Sequence, residues 1–332
     1  MVYQTPLLKH EFGHQSKSPT IYVKYESLQP SRSFKFRGIS HFIERAISSK
    51  PILVDTMKVY SSSGGNAGLA AATAAKSFGM ECIVVVPKTT KLRMIQKIEK
   101  EGATVLVHGE NWGHADTYLR ETIMKEAKLK GLTPLYVHPF DNELIWEGHS
   151  SIVDEVLLQL KQENIPSENL AGIVCSVGGG GLFSGIVKGL ERHGLAESVP
   201  IIAVETEGSD VMAKSLRAGE RVELNKISTV ASSLGSPYLA EFAYQSARKY
   251  GSKSVVLSDW EVVSTTLKFA DEFNIITEPA CGASLHLGYY PDIVATSLER
   301  NLTPKDIIVV IACGGSCMSY EELLSFKPAG MV

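Results

Sequence analysis

The chain lacks a long apolar run. No stretch approaches the roughly 18 consecutive apolar residues needed to cross a bilayer, so a membrane-spanning helix is not expected. It also lacks an excess of either charge. Lys and Arg total 33 and Asp and Glu 36, leaving a net charge of −3. That is too little to draw the chain to nucleic acid or to an acidic membrane surface. Cysteine is sparse. The five residues Cys82, Cys175, Cys281, Cys313 and Cys317 form neither a disulfide framework nor paired Cys-x-x-Cys ligands. A reducing compartment fits that usage. The nine histidines are scattered and no H-E-x-x-H occurs, nor does a G-x-S-x-G elbow. The opening MVYQTPLLKHEFGHQSKSP has no apolar signal core and no arginine, so the cytosol is the expected location. What is present is ordinary: 332 residues, 44% hydrophobic and 21% charged, enough for two modest domains and a small-molecule partner.

Short apolar runs alternate with longer amphipathic ones. Strands are expected at 20–26, 57–63, 81–87, 103–109 and 135–140, with helices at 36–48, 66–78, 91–102 and 112–130 between them. A second series has strands at 171–177, 200–206, 252–258 and 306–313. Val/Ile-rich strands alternating with helices imply parallel sheets covered on both faces. The expected class is therefore α/β, with two open parallel-sheet αβα domains and a ligand cleft between them. In such folds ligands sit at the carboxyl ends of strands.

Four strand ends stand out. In SRSFKFRG (31–38), Lys35 lies between two phenylalanines just before a helix. An apolar setting lowers an amine's pKa and makes it a usable nucleophile, although a surface lysine beside two core aromatics gives the same pattern. SSSGGNAG (61–68) follows a strand and opens an Ala-rich helix. Its N–H groups, with Ser63 and Asn66, can hold a carboxylate or phosphate, or form only a tight capped turn. SVGGGGLFSG (176–185) holds four consecutive glycines, more than a structural turn requires. They point to close approach of an anion. Ser184 stands where the third glycine of a dinucleotide fingerprint would fall, and no Gly-Lys-Ser/Thr follows. In IACGGSC (311–317), Cys313 ends an apolar strand and is either a weak partner for a ring nitrogen or a buried structural thiol.

An amine nucleophile, a carboxylate cradle, a phosphate cradle and a ring partner together fit pyridoxal 5'-phosphate. Their order resembles the tryptophan-synthase-β-like (fold type II) pyridoxal enzymes, most nearly the eukaryotic L-serine dehydratase / L-threonine deaminase group. The likeness runs through TPLL, SFKFRG, SSGGNAG, EGATV, PFDNELIWEGHSSI, SVGGGGL, AVETEGS, TEPACGAS and CGGS, roughly residues 4–325. It implies a large domain of 1–37 with 146–332, a small domain of 38–145, and a homodimer. By the same resemblance Lys35 carries the cofactor and shuttles the α-proton. Phe34 flanks the ring and Asn66 reaches the ring oxygen. Ser63, Gly64, Gly65, Asn66 and Ala67, with Phe140, contact the amino-acid substrate. Gly178, Gly179, Gly180, Gly181 and Leu182 hold the phosphate, and Cys313 faces the pyridine nitrogen. Glu205, Ser209, Leu234 and Ser236, with Gly178, correspond to ligands of a monovalent cation such as K+.

The expected reaction is α,β-elimination of L-serine, and of L-threonine, to a 2-oxo acid and ammonia. Gly64 stands where several relatives have alanine, so it is expected to bear on the choice between the two substrates. A serine racemase or a cysteine-synthase-like β-replacement enzyme would share the same lysine and cradles. A non-catalytic pyridoxal-binding regulatory protein would be expected to have lost one of them, and both are intact.

Overall fold

The computed structural model describes residues 1–13 and 18–326. Among these the strands are β1 (Leu7–His10), β2 (Thr20–Tyr25), β3 (Met57–Ser61), β4 (Cys82–Val86), β5 (Thr104–Val107), β6 (Thr133–Val137), β7 (Leu170–Ser176), β8 (Ile201–Thr206), β9 (Lys253–Leu257) and β10 (Ile307–Ala312). The α-helices are α1 (Lys35–Ser49), α2 (Asn66–Ser77), α3 (Leu92–Lys100), α4 (Trp112–Tyr118), α5 (Met124–Leu129), α6 (Glu143–Gln162), α7 (Gly181–Arg192), α8 (Val211–Ala218), α9 (Glu241–Lys249), α10 (Asp259–Phe273), α11 (Pro279–Tyr289), α12 (Pro291–Leu298) and α13 (Tyr320–Leu324). No described helix is long and apolar enough to cross a membrane.

The chain divides into two compact units. The first is Met1–Tyr3 with Gln29–His149, and the second is Gln4–Leu28 with Ser150–Val332. Lys35 thus groups with the first unit. That unit is built on a four-stranded sheet in the order β5-β4-β3-β6, with every pairing parallel. Two glycines set its helix packing. A Cβ on Gly148 would lie 2.6 Å from Gly38 Cα, and one on Gly38 would lie 2.5 Å from His149 Cε1. The start of α6 therefore crosses α1 with no room for a methyl, which presses His149 against Phe34, ring centres 4.9 Å apart.

The second unit has a six-stranded sheet in the order β1-β2-β10-β7-β8-β9. β7 and β10 are buried along their whole length, which is why their sequences run apolar instead of alternating. One pairing departs from the expected parallel sheet. β1 pairs antiparallel with β2, Leu7 opposite Lys24 and His10 opposite Ile21. LLKH was not foreseen as a strand, because four residues at a sheet edge are too few to carry a period. The helix expected at 112–130 also departs from regularity, with a π-type turn at Leu119–Ile123 separating α4 from α5.

Candidate active site

Lys35 is the first residue of α1, entered through the turn in which Arg37 N–H donates to Phe34 O at 3.0 Å. Its half-buried amine donates to Pro139 O at 3.0 Å and lies 4.9 Å from the centre of the Phe34 ring. A fully buried lysine exists elsewhere, at Lys24. Its Nζ donates to Thr5 O, Glu155 Oε2 and Gln159 Oε1 at 2.6, 2.6 and 2.8 Å. With a carboxylate and two carbonyl oxygens around its ammonium, Lys24 serves as a structural cation.

The loop after β3 leads into α2. Ser63 Oγ accepts from Gly65 N at 3.2 Å, and Gly65 N-caps α2 without a side-chain cap. Gly68 is required: a Cβ there would lie 1.8 Å from Ser63 O. At Gly64 a Cβ would lie 2.4 Å from Thr90 Oγ1 and 2.6 Å from Thr90 Cγ2. A methyl at Gly64, expected from the sequence to bear on the choice of substrate, thus points first at Thr90. Asn66 and Ala67 open α2 and are buried.

The segment after β6 supplies the carbonyl for Lys35. His138 Nδ1 accepts from Phe140 N at 3.3 Å and Asp141 N at 2.7 Å, and Trp146 Nε1 donates to Phe140 O at 2.6 Å. Two N–H donors at Nδ1 leave the ring proton on Nε2. Burial pushes the His138 pKa down to about 4. Burial, followed by the charges of Lys35, Arg37 and His41, holds His149 well below its usual value. His149 Nδ1 is buried without a hydrogen-bond partner among the described residues. Two neutral imidazoles therefore stand near the Lys35 charge.

In the second unit the tetraglycine run joins β7 to α7. Gly180 N-caps α7 at φ 89° with no side-chain cap. A Cβ on Gly178 would lie 2.6 Å from Leu234 O, and one on Gly180 2.6 Å from Ala243 Cβ. Ser184 Oγ, in the first turn of α7, is buried without a hydrogen-bond partner among the described residues. The first N–H groups of a helix have no intrahelical acceptor. Here no side chain caps them and glycines leave the backbone open, so a phosphate fits the turn. Gly179 is fixed by its carbonyl, which accepts from Ala240 N at 3.0 Å. Leu182 and Cys313 are buried, Cys313 at the end of β10. Close by in the chain, Gly315 has φ 137°, and a Cβ there would lie 2.0 Å from Glu278 Cδ. Glu278 Oε2 accepts from Cys317 N at 3.0 Å.

The residues expected at a cation site fall into smaller groups. Ser209 Oγ donates to Leu234 O at 2.7 Å, the carbonyl beside Gly178. Ser236 Oγ donates to Tyr238 O at 2.7 Å. The Glu205 carboxylate accepts from Met212 N at 2.7 Å, Ala213 N at 2.8 Å and Ser254 Oγ at 2.8 Å, capping α8. Burial pushes its pKa up to about 7. No cluster of three or more His, Cys, Asp or Glu side chains suited to a metal occurs among the described residues.

Sequence reasoning passed over His138, His149, Thr90 and Glu278. The first two lie inside the quoted PFDNELIWEGHSSI region or one step before it, but nothing in their spacing marks an imidazole as buried.

A family model described as pyridoxal-phosphate dependent enzyme matches residues 1–314. The chain is 55% identical over 325 residues to an L-serine dehydratase of Saccharomyces cerevisiae (strain AWRI1631), covering 97% of this chain and 95% of that one. It is 41% identical over 327 residues to the L-serine dehydratase/L-threonine deaminase of Homo sapiens, covering 98% and 94%. A crystal structure of an L-serine ammonia-lyase from Rhizomucor miehei superposes with a TM-score of 0.85 at 32% identity, covering 99% of each chain. With a lysine at the head of α1 and uncapped glycine turns at both sheets, the chain belongs to the pyridoxal-phosphate-dependent enzyme family, within its L-serine dehydratase group.

Proposed function

We propose that this chain releases ammonia from L-serine, and from L-threonine, giving pyruvate and 2-oxobutanoate. The observation that carries the reading is the 55% identity to a yeast L-serine dehydratase along 97% of this chain, with Lys35 at the head of α1. Bound pyridoxal phosphate supplies the electron sink for the Cα–H bond. Lys35 is assigned to hold its carbonyl carbon. Its Nζ, when free, would be the group that takes the Cα proton. Ser63, Asn66 and the N–H groups of 63–67 are assigned to the substrate carboxylate, with Phe140 beside the substrate. The N–H groups of 178–182 are assigned to the phosphate, Phe34 to the ring face and Asn66 to the ring oxygen. Cys313 is assigned to the ring nitrogen. A thiol is a weak donor and does not deliver a full proton there. Cys313 in that place would leave the ring a weaker sink, which would favour loss of the β-hydroxyl, leaving with a proton as water. The released enamine takes up water to give the 2-oxo acid and ammonia.

The same reading places the chain in the cytosol as a homodimer. Five cysteines without the spacing of a disulfide framework suit a reducing compartment. A monovalent cation at Gly178, Glu205, Ser209, Leu234 and Ser236 is supported by the Leu234 carbonyl and Ser209 hydroxyl gathered beside Gly178. Exchange of potassium for tetramethylammonium tests it. The reaction is tested by incubating the cofactor-saturated protein with L-serine. Pyruvate and ammonia are expected in equal amounts. D-serine without pyruvate, or no product at all, defeats the assignment.

A further inference from the structure

The main-chain pairing of β3 with β6 ends at Ser61 opposite Val137. Beyond that point the two chains part. One enters the loop 62–65, and the other runs through His138 to Pro139, whose carbonyl takes the Lys35 amine. The buried side chain of Asp116 links the two segments. Asp116 Oδ1 accepts from Ser62 Oγ at 2.7 Å and from Tyr136 Oη at 2.5 Å. Ser62 is fully buried and immediately precedes Ser63. Tyr136 stands one residue before the end of β6.

Asp116 comes from α4, whose Ala115, with Leu119 in the following turn, is anchored in a core cluster with Tyr60, Val85 and Ala127. Arg120 Nη1 lies 3.6 Å from the other carboxylate oxygen, and its guanidinium lies 5.4 Å from the centre of the Tyr136 ring. The carboxylate is therefore held from the core side and met by one donor from each strand end. Truncating a buried acceptor leaves its donors unsatisfied, so the two strand ends lose a common reference.

We propose that Asp116 is a positioning residue, which through Ser62 and Tyr136 fixes the substrate-carboxylate loop relative to the strand end that holds Lys35. This rests on the reading above in taking 63–67 as the carboxylate site. The two arms have separate consequences. The Ser62 arm bears on carboxylate binding. The Tyr136 arm bears on Pro139 and so on the Lys35 amine.

The test uses holoenzyme variants Asp116→Ala, Asp116→Asn, Ser62→Ala and Tyr136→Phe. L-alanine, which has no β-hydroxyl to lose, serves as probe in a spectral titration beside KM and kcat for L-serine. Asp116→Ala and Ser62→Ala should raise the L-alanine Kd and the L-serine KM about tenfold with cofactor content unchanged, the scale of a loop displaced by a fraction of an ångström. Asp116→Asn keeps an acceptor oxygen in place and should recover most of that loss. Tyr136→Phe should lower kcat and move the pH at which the absorbance of Lys35-bound cofactor titrates, with KM little changed. Melting temperatures that fall while Kd, KM and the absorbance titration stay as in the wild type overturn the proposal. If Asp116→Ala does not fold, the single-arm variants decide, since unchanged Kd in Ser62→Ala with an unchanged spectrum in Tyr136→Phe overturns it equally. A wild type that binds L-alanine yet makes no pyruvate from L-serine sinks the proposed reaction, while the Kd series still decides the role of Asp116.

Discussion

The two units carry their candidate sites in different chemical media. In the first, side chains do the arranging: Asp116, Ser62 and Tyr136 form one network, and His138 binds two backbone N–H groups beside Pro139. In the second, backbone does it: Gly178 presses on the Leu234 carbonyl and Gly180 turns the chain into α7 at positive φ. Side-chain networks are specific and titratable. A glycine cradle is neither, because its donors are amides that every sequence has and only their freedom from side chains is special. On the reading proposed, a proton-transferring amine sits in the first medium and a permanently charged phosphate in the second.

The largest effect should come from the two lysines, one in each unit. Lys35→Ala is expected to lower turnover of L-serine by about a thousandfold or more, as for loss of a group that acts as both nucleophile and base. It should also abolish the borohydride-fixed cofactor adduct. The melting temperature should change little, since the amine is half-buried and not enclosed in the core. Lys24→Ala should do the reverse. It strips a buried partner from Glu155, Gln159 and Thr5, at a cost of about 3–5 kcal/mol. Chemical denaturation with cofactor titration checks both. A stable Lys24→Ala protein that has lost only activity would erase the contrast.

Two side chains, one in each unit, answer to pH in opposite directions. His138 has a folded pKa pushed down to about 4, below the ordinary 6.5 of the unfolded chain. Its contribution is fully present above pH 6.5 and is lost as pH falls through about 4. Protonating Nδ1 also removes the acceptor for Phe140 and Asp141 N–H. Glu205 runs the other way. Its folded pKa stands at about 7 against an ordinary 4.5, so its contribution is present below pH 4.5 and is lost as pH rises through about 7. His138→Gln should therefore flatten the acid limb of stability against pH by about 2 kcal/mol, after allowance for a ring that keeps some solvent contact. Unfolding in denaturant at pH 5 and pH 8 measures it. An acid limb identical to the wild type would show that His138 is not the group that titrates.

Much of this was legible in the sequence, for a physical reason. Buried parallel strands such as IIVVIA leave a continuous apolar signature, and a glycine run or an Ala-rich helix start leaves a compositional one. The segments 61–68 and 178–182 and the strand before Cys313 stood out in that way, and Lys35 by its place between two phenylalanines, although it opens α1 and does not end a strand. Asp116 and Tyr136 did not, because each looks like any helix or strand polar residue until the fold brings them to one oxygen. Gly38 and Gly148 stood in the quoted motifs, but only the crossing of α1 and α6 shows that each excludes a methyl from the other. β1 was missed for shortness, and Lys24 because burial of a cation leaves no local mark.

The smallest expected effect lies at Gly64, where the sequence suggested a determinant of serine against threonine. The built Cβ direction redirects that idea, since the methyl would meet Thr90 Oγ1 at 2.4 Å and Thr90 Cγ2 at 2.6 Å. Thr90 is half-buried and its N–H donates to Pro87 O at 3.0 Å, so its backbone is held and its side chain must yield or the loop must move. Overpacking of this kind costs about 1–3 kcal/mol. In the proposed site the loop 63–67 holds the carboxylate, which L-serine and L-threonine share. Gly64→Ala should therefore lower kcat/KM for both by a similar factor, about tenfold. Thr90→Ala in the same chain removes both colliding atoms and should restore most of the loss for both substrates. Measuring kcat/KM for the two amino acids in Gly64→Ala and in the double variant, with cofactor occupancy matched, separates the cases. A loss that falls mainly on L-threonine and persists in the double variant would place the methyl against the substrate's own carbon chain. Gly64 would then be a specificity residue after all, and Thr90 merely its neighbour.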